Sequence, residues 1–304
     1  MKAALIGYGY WGRMLERYIV ASTAFELKKV YSPELEKRDI YTNDIADVEN
    51  SNEIEAVFIA TPVDTHYDLC KRFLLSGKHV FCEKPATKTL DELTELIALA
   101  EERKRILYID YLYMNSPSIN YIKDHLEEIG KVYRVEGCIE QFGKFYPDDD
   151  IYGIIGVHIV SGILYMLGTK NISDMKFENP LRVGNGNSIQ TECSFVADES
   201  IKASIQCNLV SSHKIRMIRI FGEKGYFMYD MNGANSIEKM LYEVDTDEVK
   251  QQAVETMSLD EHNSLELVMS SFSHCIKEMD ATRNNQVAVL IQNWLEEARR
   301  SYRS

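Results

Sequence analysis

The chain of 304 residues is 45% hydrophobic and 27% charged, as in a water-soluble globular protein, and its length fits two domains of ordinary size. Its net charge of −13 argues against nucleic-acid backbones and anionic membrane surfaces as partners. The six cysteines include no C-x-x-C pair, which predicts neither a disulfide framework nor a zinc site. The first predicted strand begins at residue 2, and no apolar run is long enough to cross a bilayer. We therefore expect a protein of the reducing cytoplasm.

Three glycines follow the first predicted strand, Lys2–Ile6, in the spacing G-x-G-x-x-G, and an amphipathic helical pattern comes directly after them. In a dinucleotide-binding fold the first glycine, Gly7, permits a tight turn, and the second, Gly9, lets a pyrophosphate approach bare backbone. The third, Gly12, lets the helix pack closely on the strand, while the helix N-terminus offers free N–H groups to the phosphates. A glycine-rich turn that binds nothing is the alternative. The position of the motif favours a site for NAD or NADP.

Apolar strand patterns and amphipathic helix patterns alternate from residue 1 to residue 115. After the first strand, further strands are predicted over Leu27–Tyr31, Glu55–Ala60, His79–Cys82 and Ile106–Tyr111. Thr89 stands where an N-cap is expected, just before a strongly periodic helix. This alternation predicts an α/β Rossmann domain, a doubly wound parallel sheet, over residues 1–115.

The pattern changes at Ser116-Pro117, after which strand-rich segments predominate. Strands are predicted over Val132–Gln141, Ile189–Val196, Ile201–Val210, Ile215–Phe221 and Tyr226–Tyr229, and helices over residues 118–128, 153–168, 264–279 and 286–300. Such grouping predicts an α+β domain with an open, mostly antiparallel sheet over residues 116–304. Because few helices are left to cover this sheet, we expect its uncovered face to form a homodimer or homotetramer interface.

Several longer motifs, each different, are distributed along most of the chain. They are GYGYWG at residues 7–12, ATPVDTH at 60–66, SGKHVFCEKP at 76–85, GVHIVSGILYMLG at 156–168 and, more faintly, FGEKG at 221–225. With these motifs the sequence resembles the Gfo/Idh/MocA family of NAD(P)-dependent sugar oxidoreductases. The resemblance implies that nicotinamide binds at the carboxyl ends of the parallel strands, next to a cyclic polyol or nucleotide sugar.

The resemblance also implies which residues line the two binding sites. For the cofactor they are Gly7, Gly9, Tyr10, Trp11, Gly12, Thr61, Pro62, His66, Glu83 and Lys84. For a small sugar-type substrate we expect Lys84, Tyr111, Tyr146, Tyr152 and His158.

Lys84 follows a predicted buried strand at its carboxyl end, the edge where open α/β sheets bind ligands. Oxidation of an alcohol requires a base for the hydroxyl proton, and a lysine can serve if burial lowers its pKa toward neutrality. The resemblance gives the lysine of the Glu-Lys-Pro motif this contact with the reacting hydroxyl. An ordinary surface lysine at the end of a strand is the alternative.

His158 matches the histidine of the family's second motif, in which an aspartate normally stands four residues earlier. Here Ile154 takes that position, and Ser161 stands where an acid often follows. The resemblance implies that Lys84 and His158 are the two proton-handling residues, one as base and the other as relay or hydroxyl anchor. The missing aspartate puts an inositol-type substrate in doubt, and a histidine buried in the core is the alternative.

The choice between NAD and NADP depends on the end of the second strand. An NAD enzyme normally has an acidic residue there for the ribose hydroxyls, whereas this chain has Ser32, with Lys37 and Arg38 close behind. A hydroxyl and two cations suit a 2′-phosphate, so we favour NADP. Glu34 or Glu36 could reverse this preference, and a solvated surface turn is the alternative for the two cations.

Three consecutive aspartates, 148–150, raise the question of a metal site. No histidine or further acid stands at ligand spacing from them, so we expect a solvated loop and no metal. The aromatic residues around this loop are Phe142, Phe145, Tyr146 and Tyr152. They could stack on a sugar or pack as part of a lid, and both interpretations stay open.

The sequence therefore predicts reversible hydride transfer between a nicotinamide cofactor and a secondary hydroxyl or keto group of a sugar, polyol or nucleotide sugar. Its main alternative is a non-catalytic NAD(P)-binding sensor or regulatory protein on the same fold. Ile154 favours that alternative, whereas the presence of Lys84 favours the enzyme, because a sensor needs no base.

Overall fold

The computed structural model describes residues 1–143, 145, 150–184, 187–232, 236–245, 248–261 and 264–301. The chain divides into two compact units, Met1–Leu112 with Asn263–Gln292, and Tyr113–His262 with Asn293–Ser304. The first unit thus includes a C-terminal segment that the sequence assigned to the second domain. Its break at Leu112 lies three residues before the predicted boundary at residue 115.

The strands of the described residues are β1 Lys2–Ile6, β2 Glu26–Tyr31, β3 Tyr41–Thr42, β4 Ala56–Ile59, β5 His79–Glu83, β6 Leu107–Asp110, β7 Val132–Phe142, β8 Ile172–Arg182, β9 Ser188–Ala197, β10 Ile201–Asn208, β11 Val210–Gly222, β12 Gly225–Asp230, β13 Ser236–Val244 and β14 Val249–Ser258. The α-helices are α1 Tyr10–Ala21, α2 Ala46–Glu49, α3 His66–Leu75, α4 Leu90–Glu102, α5 Pro117–Asp124, α6 Val157–Leu167, α7 Ser264–Glu278 and α8 Thr282–Ser301. Short 3-10 turns lie at Val63–Thr65, Leu112–Asn115 and Leu126–Ile129, and a π-helical turn, Tyr152–Gly156, leads into α6.

The first unit is built on a parallel six-stranded sheet of order β3-β2-β1-β4-β5-β6. This order reverses between β1 and β4, which is where doubly wound sheets open a crevice at their carboxyl ends for ligands. The predicted Rossmann sheet is therefore confirmed. Thr89 caps α4 as expected: its Oγ1 accepts from the Glu92 N–H at 3.2 Å, and Glu92 Oε2 accepts from the Thr89 N–H at 3.2 Å.

An aromatic cluster explains why α7 belongs to the first unit. Phe58 of β4 and Phe81 of β5 are fully buried, and their ring centroids lie 5.1 Å apart. Phe272 of α7 packs on both rings, with centroids 5.4 Å from Phe58 and 5.6 Å from Phe81. Burying such large apolar rings is worth several kcal/mol, roughly 3–5 for a phenylalanine truncated to alanine. The apolar stripe of α7 thus completes the core of the parallel sheet.

The edge strand β6 is completed by a side chain instead of another strand. The amide of Asn284, on α8, accepts from the Ile109 N–H at 2.8 Å and donates to the Ile109 carbonyl at 2.8 Å. Asn284 is buried, so both backbone groups are satisfied where water does not reach. This contact holds the backbone of β6 at Ile109, next to Asp110, the last residue of the strand.

The second unit carries an eight-stranded sheet of order β14-β13-β12-β11-β7-β10-β9-β8. Within it β7 and β10 pair in parallel and the other neighbours are antiparallel, which confirms the predicted mostly antiparallel sheet. Helix α6 packs closely on one face, because a Cβ on Gly137 would lie 3.0 Å from the Ile159 side chain. On the other face, Glu192, Gln206 and Arg219 are exposed and border a shallow cavity of about 350 Å³.

Within the described ranges, no helix combines the length and the hydropathy that a membrane crossing requires.

Candidate active site

The turn after β1 approaches the end of β4 closely. Gly7 has φ +97°, and a Cβ there would lie 2.5 Å from the carbonyl oxygen of Ala60. A Cβ on Gly12 would lie 2.1 Å from the Gly7 carbonyl oxygen, so α1 can pack on the turn only if residue 12 is glycine. These contacts agree with the parts predicted for the first and third glycines of the motif.

Gly9 differs from its two neighbours, because a Cβ built on it meets no atom within 4 Å. It is the N-cap residue of α1, no side chain caps the helix, and no acidic residue lies in its first turn. Tyr10 and Trp11, which begin the helix, are exposed. The helix N-terminus therefore presents backbone N–H groups to open space, and these residues fit a dinucleotide pyrophosphate.

His66 connects the segments that follow β4 and β5. Its Nδ1 lies 2.8 Å from the Pro85 carbonyl oxygen and its Nε2 2.8 Å from the Thr61 carbonyl oxygen. The ring is buried, and this burial lowers the pKa of His66 despite the two carbonyls. The prediction that His66 contacts the cofactor is corrected, since its ring positions two loops instead. Thr61 and Pro62, next to it, remain accessible.

Two carboxyl groups end neighbouring strands at the ligand-binding edge. Glu83 is the last residue of β5 and Asp110 the last of β6, and the register pairs them directly. Burial raises the pKa of Glu83 to about 7 and, together with the Glu83 charge, raises that of Asp110 well above its usual range. The side chains are hydrogen-bonded to each other, so one proton is shared by the pair near neutral pH.

Lys84 follows Glu83 immediately, and its peptide bond to Pro85 is cis. Its side chain is half-buried, and its positive charge lowers the pKa values of Glu83 and Asp110 against the larger effect of burial. Asp110 Oδ1 is buried with no hydrogen-bond partner among the described residues. Sequence reasoning missed Asp110; its only signal was an acid near the carboxyl end of a predicted strand.

Tyr111 is buried rather than exposed at the sheet edge. Only 3% of its surface is accessible, its N–H donates to the Ile109 carbonyl at 3.0 Å, and burial raises the pKa of its hydroxyl. The prediction that Tyr111 contacts a substrate is corrected accordingly. Its ring belongs to the interior of the first unit.

The predicted 2′-phosphate site lies after β2. The N–H of Ser32 donates to the Thr42 carbonyl at 3.1 Å. The residue is half-buried, just after the end of β2. Lys37 already pairs with a carboxylate, since its Nζ lies 2.7 Å from Asp47 Oδ2. Arg38 is exposed, and its guanidinium lies 5.8 Å from the centre of the Tyr41 ring. Ser32 and Arg38 are thus better placed for a phosphate than Lys37.

A tyrosine–glutamate network beside the glycine turn was missed by sequence reasoning. The hydroxyl of Tyr8, inside the motif, donates to Glu16 Oε2 at 2.7 Å, and that of Tyr41 donates to Glu16 Oε1 at 2.8 Å. The Tyr8 and Tyr41 rings meet edge to face, with centroids 5.5 Å apart. The network ties the turn to α1 and β3 and thereby fixes the backbone that phosphates would contact.

In the second unit, His158 lies in the first turn of α6 and is half-buried. Its ring centroid lies 5.8 Å from that of Tyr113, and its carbonyl accepts from Ser161 Oγ at 2.9 Å. Ile154, which stands in place of an aspartate, is half-buried in the preceding π-helical turn. His158, for which the sequence left open a core position or a part in proton transfer, is therefore partly accessible.

Tyr152 is a core residue of the second unit. It has no exposed surface, its hydroxyl lies 2.6 Å from Asn179 Oδ1 and 2.6 Å from Thr191 Oγ1, and its ring centroid lies 5.3 Å from that of Trp294. The prediction that Tyr152 binds substrate is corrected. Such a buried, hydrogen-bonded tyrosine instead supports the turn that begins α6.

The loop before α6 is described in part. Phe142 and Phe145 are exposed, with ring centroids 6.0 Å apart. Asp150 accepts from the N–H groups of Tyr152 at 3.0 Å and Gly153 at 3.1 Å, as a capping residue does. Tyr146, Asp148 and Asp149, which carried predictions about substrate and metal, lie outside the described residues. Elsewhere, in the part of the chain that is described, no group of His, Cys, Asp and Glu has the arrangement of a metal site.

Comparison with known proteins identifies a family and relatives that match part of this chain. Residues 1–111 match the model of the Gfo/Idh/MocA family, described as an oxidoreductase family with an NAD-binding Rossmann fold. The uncharacterised oxidoreductase YdgJ of Escherichia coli is 35% identical over 151 residues, 47% of this chain and 44% of that protein. The scyllo-inositol 2-dehydrogenase (NADP(+)) IolU of Bacillus subtilis is 29% identical over 131 residues, 40% of each chain. These matches span less than half the length of either relative.

Comparison with solved structures extends the likeness to the whole chain. The UDP-N-acetylglucosamine 3-dehydrogenase GnnA from Acidithiobacillus ferrooxidans superposes with a TM-score of 0.83 at 20% identity, over 97% of this chain and 96% of that one. At such low identity the likeness establishes a shared fold and not a shared substrate.

Proposed function

From the match of residues 1–111 to the model of the Gfo/Idh/MocA family of NAD-binding oxidoreductases, we propose that the protein is an NAD(P)-dependent dehydrogenase acting on a secondary hydroxyl of a sugar, polyol or nucleotide sugar. The reverse reaction reduces the corresponding ketone. The names of two similar proteins, an inositol dehydrogenase and a nucleotide-sugar dehydrogenase, support this substrate class.

One observation carries the proposal. Lys84 follows β5 at the carboxyl edge of the parallel sheet, the same edge at which the open backbone of Gly9 follows β1. A phosphate-binding turn and a basic side chain at one edge are what a hydride-transfer site on this sheet requires.

When bound, the nicotinamide cofactor supplies the hydride acceptor. In the direction of oxidation, Lys84 Nζ removes the hydroxyl proton of the substrate, the carbon–hydrogen electron pair leaves as hydride, and a carbonyl forms. The neighbouring pair of Glu83 and Asp110 holds one negative charge while sharing a proton, and so balances the ammonium that Lys84 becomes. His158 is the second candidate for handling this proton, as relay or as hydroxyl anchor.

We further propose a preference for NADP. Ser32 stands where an acidic residue would repel a 2′-phosphate, and the exposed guanidinium of Arg38 lies six residues on in the chain. Lys37 contributes less, because Asp47 already neutralises it. The name of the similar IolU protein, an NADP(+)-dependent dehydrogenase, agrees with this preference.

The test is a screen of the purified protein for formation of reduced nicotinamide, with NAD and NADP separately, on neutral polyols, sugar acids, sugar phosphates and nucleotide sugars. Turnover on one of these alcohols supports the proposal. Tight cofactor binding without turnover on any alcohol or ketone supports instead a non-catalytic NAD(P) sensor, which Ile154 in place of the aspartate favours.

A further inference from the structure

A cluster of polar groups in the second unit lies on the face of the sheet that α6 covers. Arg216 of β11 points to this face, because Ile218, two residues on, is fully buried there. Its Nη2 donates to Gln141 Oε1 at 3.4 Å, and its guanidinium hydrogen-bonds the buried hydroxyl of Tyr113. The ring of Tyr113 in turn packs on His158, with centroids 5.8 Å apart. The cluster thus joins a guanidinium to the histidine proposed for the reaction.

One N–H group of the Arg216 guanidinium is not used within the described residues. Its Nε is buried from solvent and has no hydrogen-bond partner among the described residues. Leaving a charged donor unpaired and out of water is energetically costly, so such donors are normally paired. With two contacts made, to Gln141 and Tyr113, and Nε unpaired, the guanidinium can still donate a hydrogen bond to an oxyanion.

A second cation lies next to it. Lys214 is two residues earlier on β11, and the charge of Arg216, together with partial burial, lowers the pKa of the Lys214 ammonium. Neither cation forms an ion pair with any carboxylate of the described residues. Lys214 and Arg216 thus form a positively charged site in a protein of net charge −13, and such a site favours binding of an anion.

The nearby acids have other partners. Glu261, whose charge raises the pKa of Tyr113, accepts from Ser116 Oγ at 3.1 Å and from the Ser118 N–H at 2.9 Å. Glu140 lies on the opposite face of the sheet, with its Oε1 3.6 Å from the Cys138 Sγ. Neither carboxylate therefore neutralises the pair of cations.

We propose that Lys214 and Arg216 bind an oxyanion of the substrate, either a carboxylate or a phosphoryl group, and that Tyr113 and Gln141 hold the guanidinium for it. The planar fork of arginine matches both groups. This inference rests on the proposed function and narrows it, because the substrate becomes an anionic sugar derivative instead of a neutral polyol. Gly9 binds the cofactor phosphates in the other unit, so the two anion sites are separate in the chain.

The test is calorimetric titration of the protein saturated with its preferred nicotinamide cofactor, which occupies the phosphate-binding turn of the first unit. The probes are glucuronate, glucose 6-phosphate and neutral glucose. We expect one of the anions to bind roughly tenfold or more tightly than glucose, and added salt to weaken that binding. Tighter binding of glucuronate identifies a carboxylate site, and tighter binding of glucose 6-phosphate identifies a phosphoryl site.

The double variant Lys214→Gln with Arg216→Gln should weaken anion binding roughly ten- to hundredfold and leave glucose unaffected. Arg216→Lys keeps the charge and should retain part of the affinity. The control, Lys131→Gln with Lys170→Gln, removes two exposed cations elsewhere in the second unit and should change nothing. Equal anion binding in the wild type and the double variant, or no preference for either anion over glucose, overturns the inference.

The two proposals fail in different ways. Anion binding that depends on Lys214 and Arg216, without turnover of any alcohol, overturns the enzymatic function and supports the anion site. Turnover on neutral polyols with no anion preference supports the enzyme and overturns the anion site.

Discussion

Glu83 and Asp110 end two neighbouring parallel strands, face each other in register, and share a proton beside Lys84. Two carboxyls so close and so little hydrated cannot both ionise at moderate cost, since like charge and burial both favour the protonated form. The first unit therefore holds a strained electrostatic arrangement at the edge where the fold binds ligands, and such arrangements are typical of functional sites.

The pair makes stability depend on pH in a defined direction. In the unfolded chain both carboxyls are ionised above about pH 4.5, whereas in the folded chain Glu83 keeps its proton up to about pH 7 and Asp110 keeps its own to a higher pH. Folding therefore takes up protons above about pH 4.5, so the pair's contribution to the free energy of unfolding falls as the pH rises through 7 and does not recover just above it. Asp110→Asn should therefore stabilise the protein by about 1–3 kcal/mol at pH 8 and by much less at pH 5.

Urea unfolding of wild type and variant at both pH values measures this difference. Desolvation lowers the pKa values of the buried His66 and the half-buried His79, so protonation of both rings destabilises wild type and variant alike at low pH and cancels in the comparison. Asp39→Asn, an exposed aspartate with φ +47° that asparagine tolerates, is the control and should show no dependence on pH. Parallel curves for Asp110→Asn and wild type would contradict a shared proton.

Gly9→Val should abolish measurable cofactor binding and leave the fold intact. A Cβ at residue 9 meets no protein atom within 4 Å, so the valine fills only the space where the pyrophosphate would meet the backbone. Gly12→Ala, by contrast, should destabilise the protein, because its Cβ would lie 2.1 Å from the Gly7 carbonyl oxygen. Calorimetry with NAD and NADP and thermal unfolding separate these effects, and Gly184→Val, also in open space, is the control. Unchanged affinity in a folded Gly9→Val protein would remove the dinucleotide site.

Ser32→Asp should shift the preference from NADP toward NAD, because a carboxylate at the end of β2 repels a 2′-phosphate. The ratio of the two dissociation constants should change roughly tenfold or more. Arg38→Ala should weaken NADP binding more than Lys37→Ala does, since Asp47 already holds the Lys37 ammonium at 2.7 Å. If the ratio does not change in folded Ser32→Asp protein, the 2′-phosphate site lies elsewhere.

Much of the fold follows from the sequence because its signals are local. Four parallel strands of the first unit, β1, β4, β5 and β6, are mostly apolar, and Thr89 marks the start of α4. The strand β14 was not predicted, since its residues, VKQQAVETMS, are mostly exposed and lack the alternation of a half-buried strand. The place of α7 was missed for another reason: its amphipathic pattern predicts a buried stripe but does not say which sheet covers Phe272.

The candidate site was predicted less completely than the fold. The glycine turn and Lys84 lie within contiguous motifs, and their positions at the sheet edge follow from the order of elements. The pairing of Glu83 with Asp110 depends on which strands are neighbours, which no local pattern reveals. Tyr152 and His66 were assigned to ligands because their residue types suit that purpose, yet burial and hydrogen bonds make both structural.

The exposed face of the second unit's sheet should be an interface between copies of this chain. We expect a dimer or tetramer by light scattering at micromolar concentration. Ser204→Glu adds a charge to a face that already carries Glu136 and Glu192, and should lower the observed mass. Ser200→Glu, in the exposed turn before β10, is the control. A wild-type monomer at this concentration would contradict the prediction.

Lys84→Met tests the proposed base most directly. Methionine has a similar length but no basic nitrogen, so turnover on the alcohol that the wild type oxidises should fall roughly 10²- to 10⁴-fold. Cofactor affinity should change little. Lys88→Met, which removes an exposed lysine paired with Asp64 at 2.7 Å, is the matched control and should turn over as the wild type does.

His158→Asn separates the two candidates for proton transfer. If His158 only relays or anchors, its variant should lose less turnover than Lys84→Met and should retain the alkaline limb of the pH–rate profile. If His158 is the base, its variant should lose turnover roughly 10²- to 10⁴-fold and its pH–rate profile should shift, whereas Lys84→Met should retain activity. Wild-type turnover by Lys84→Met would exclude that lysine as the base. A double variant that loses no more turnover than the more damaged single variant would show that the two residues act as one unit.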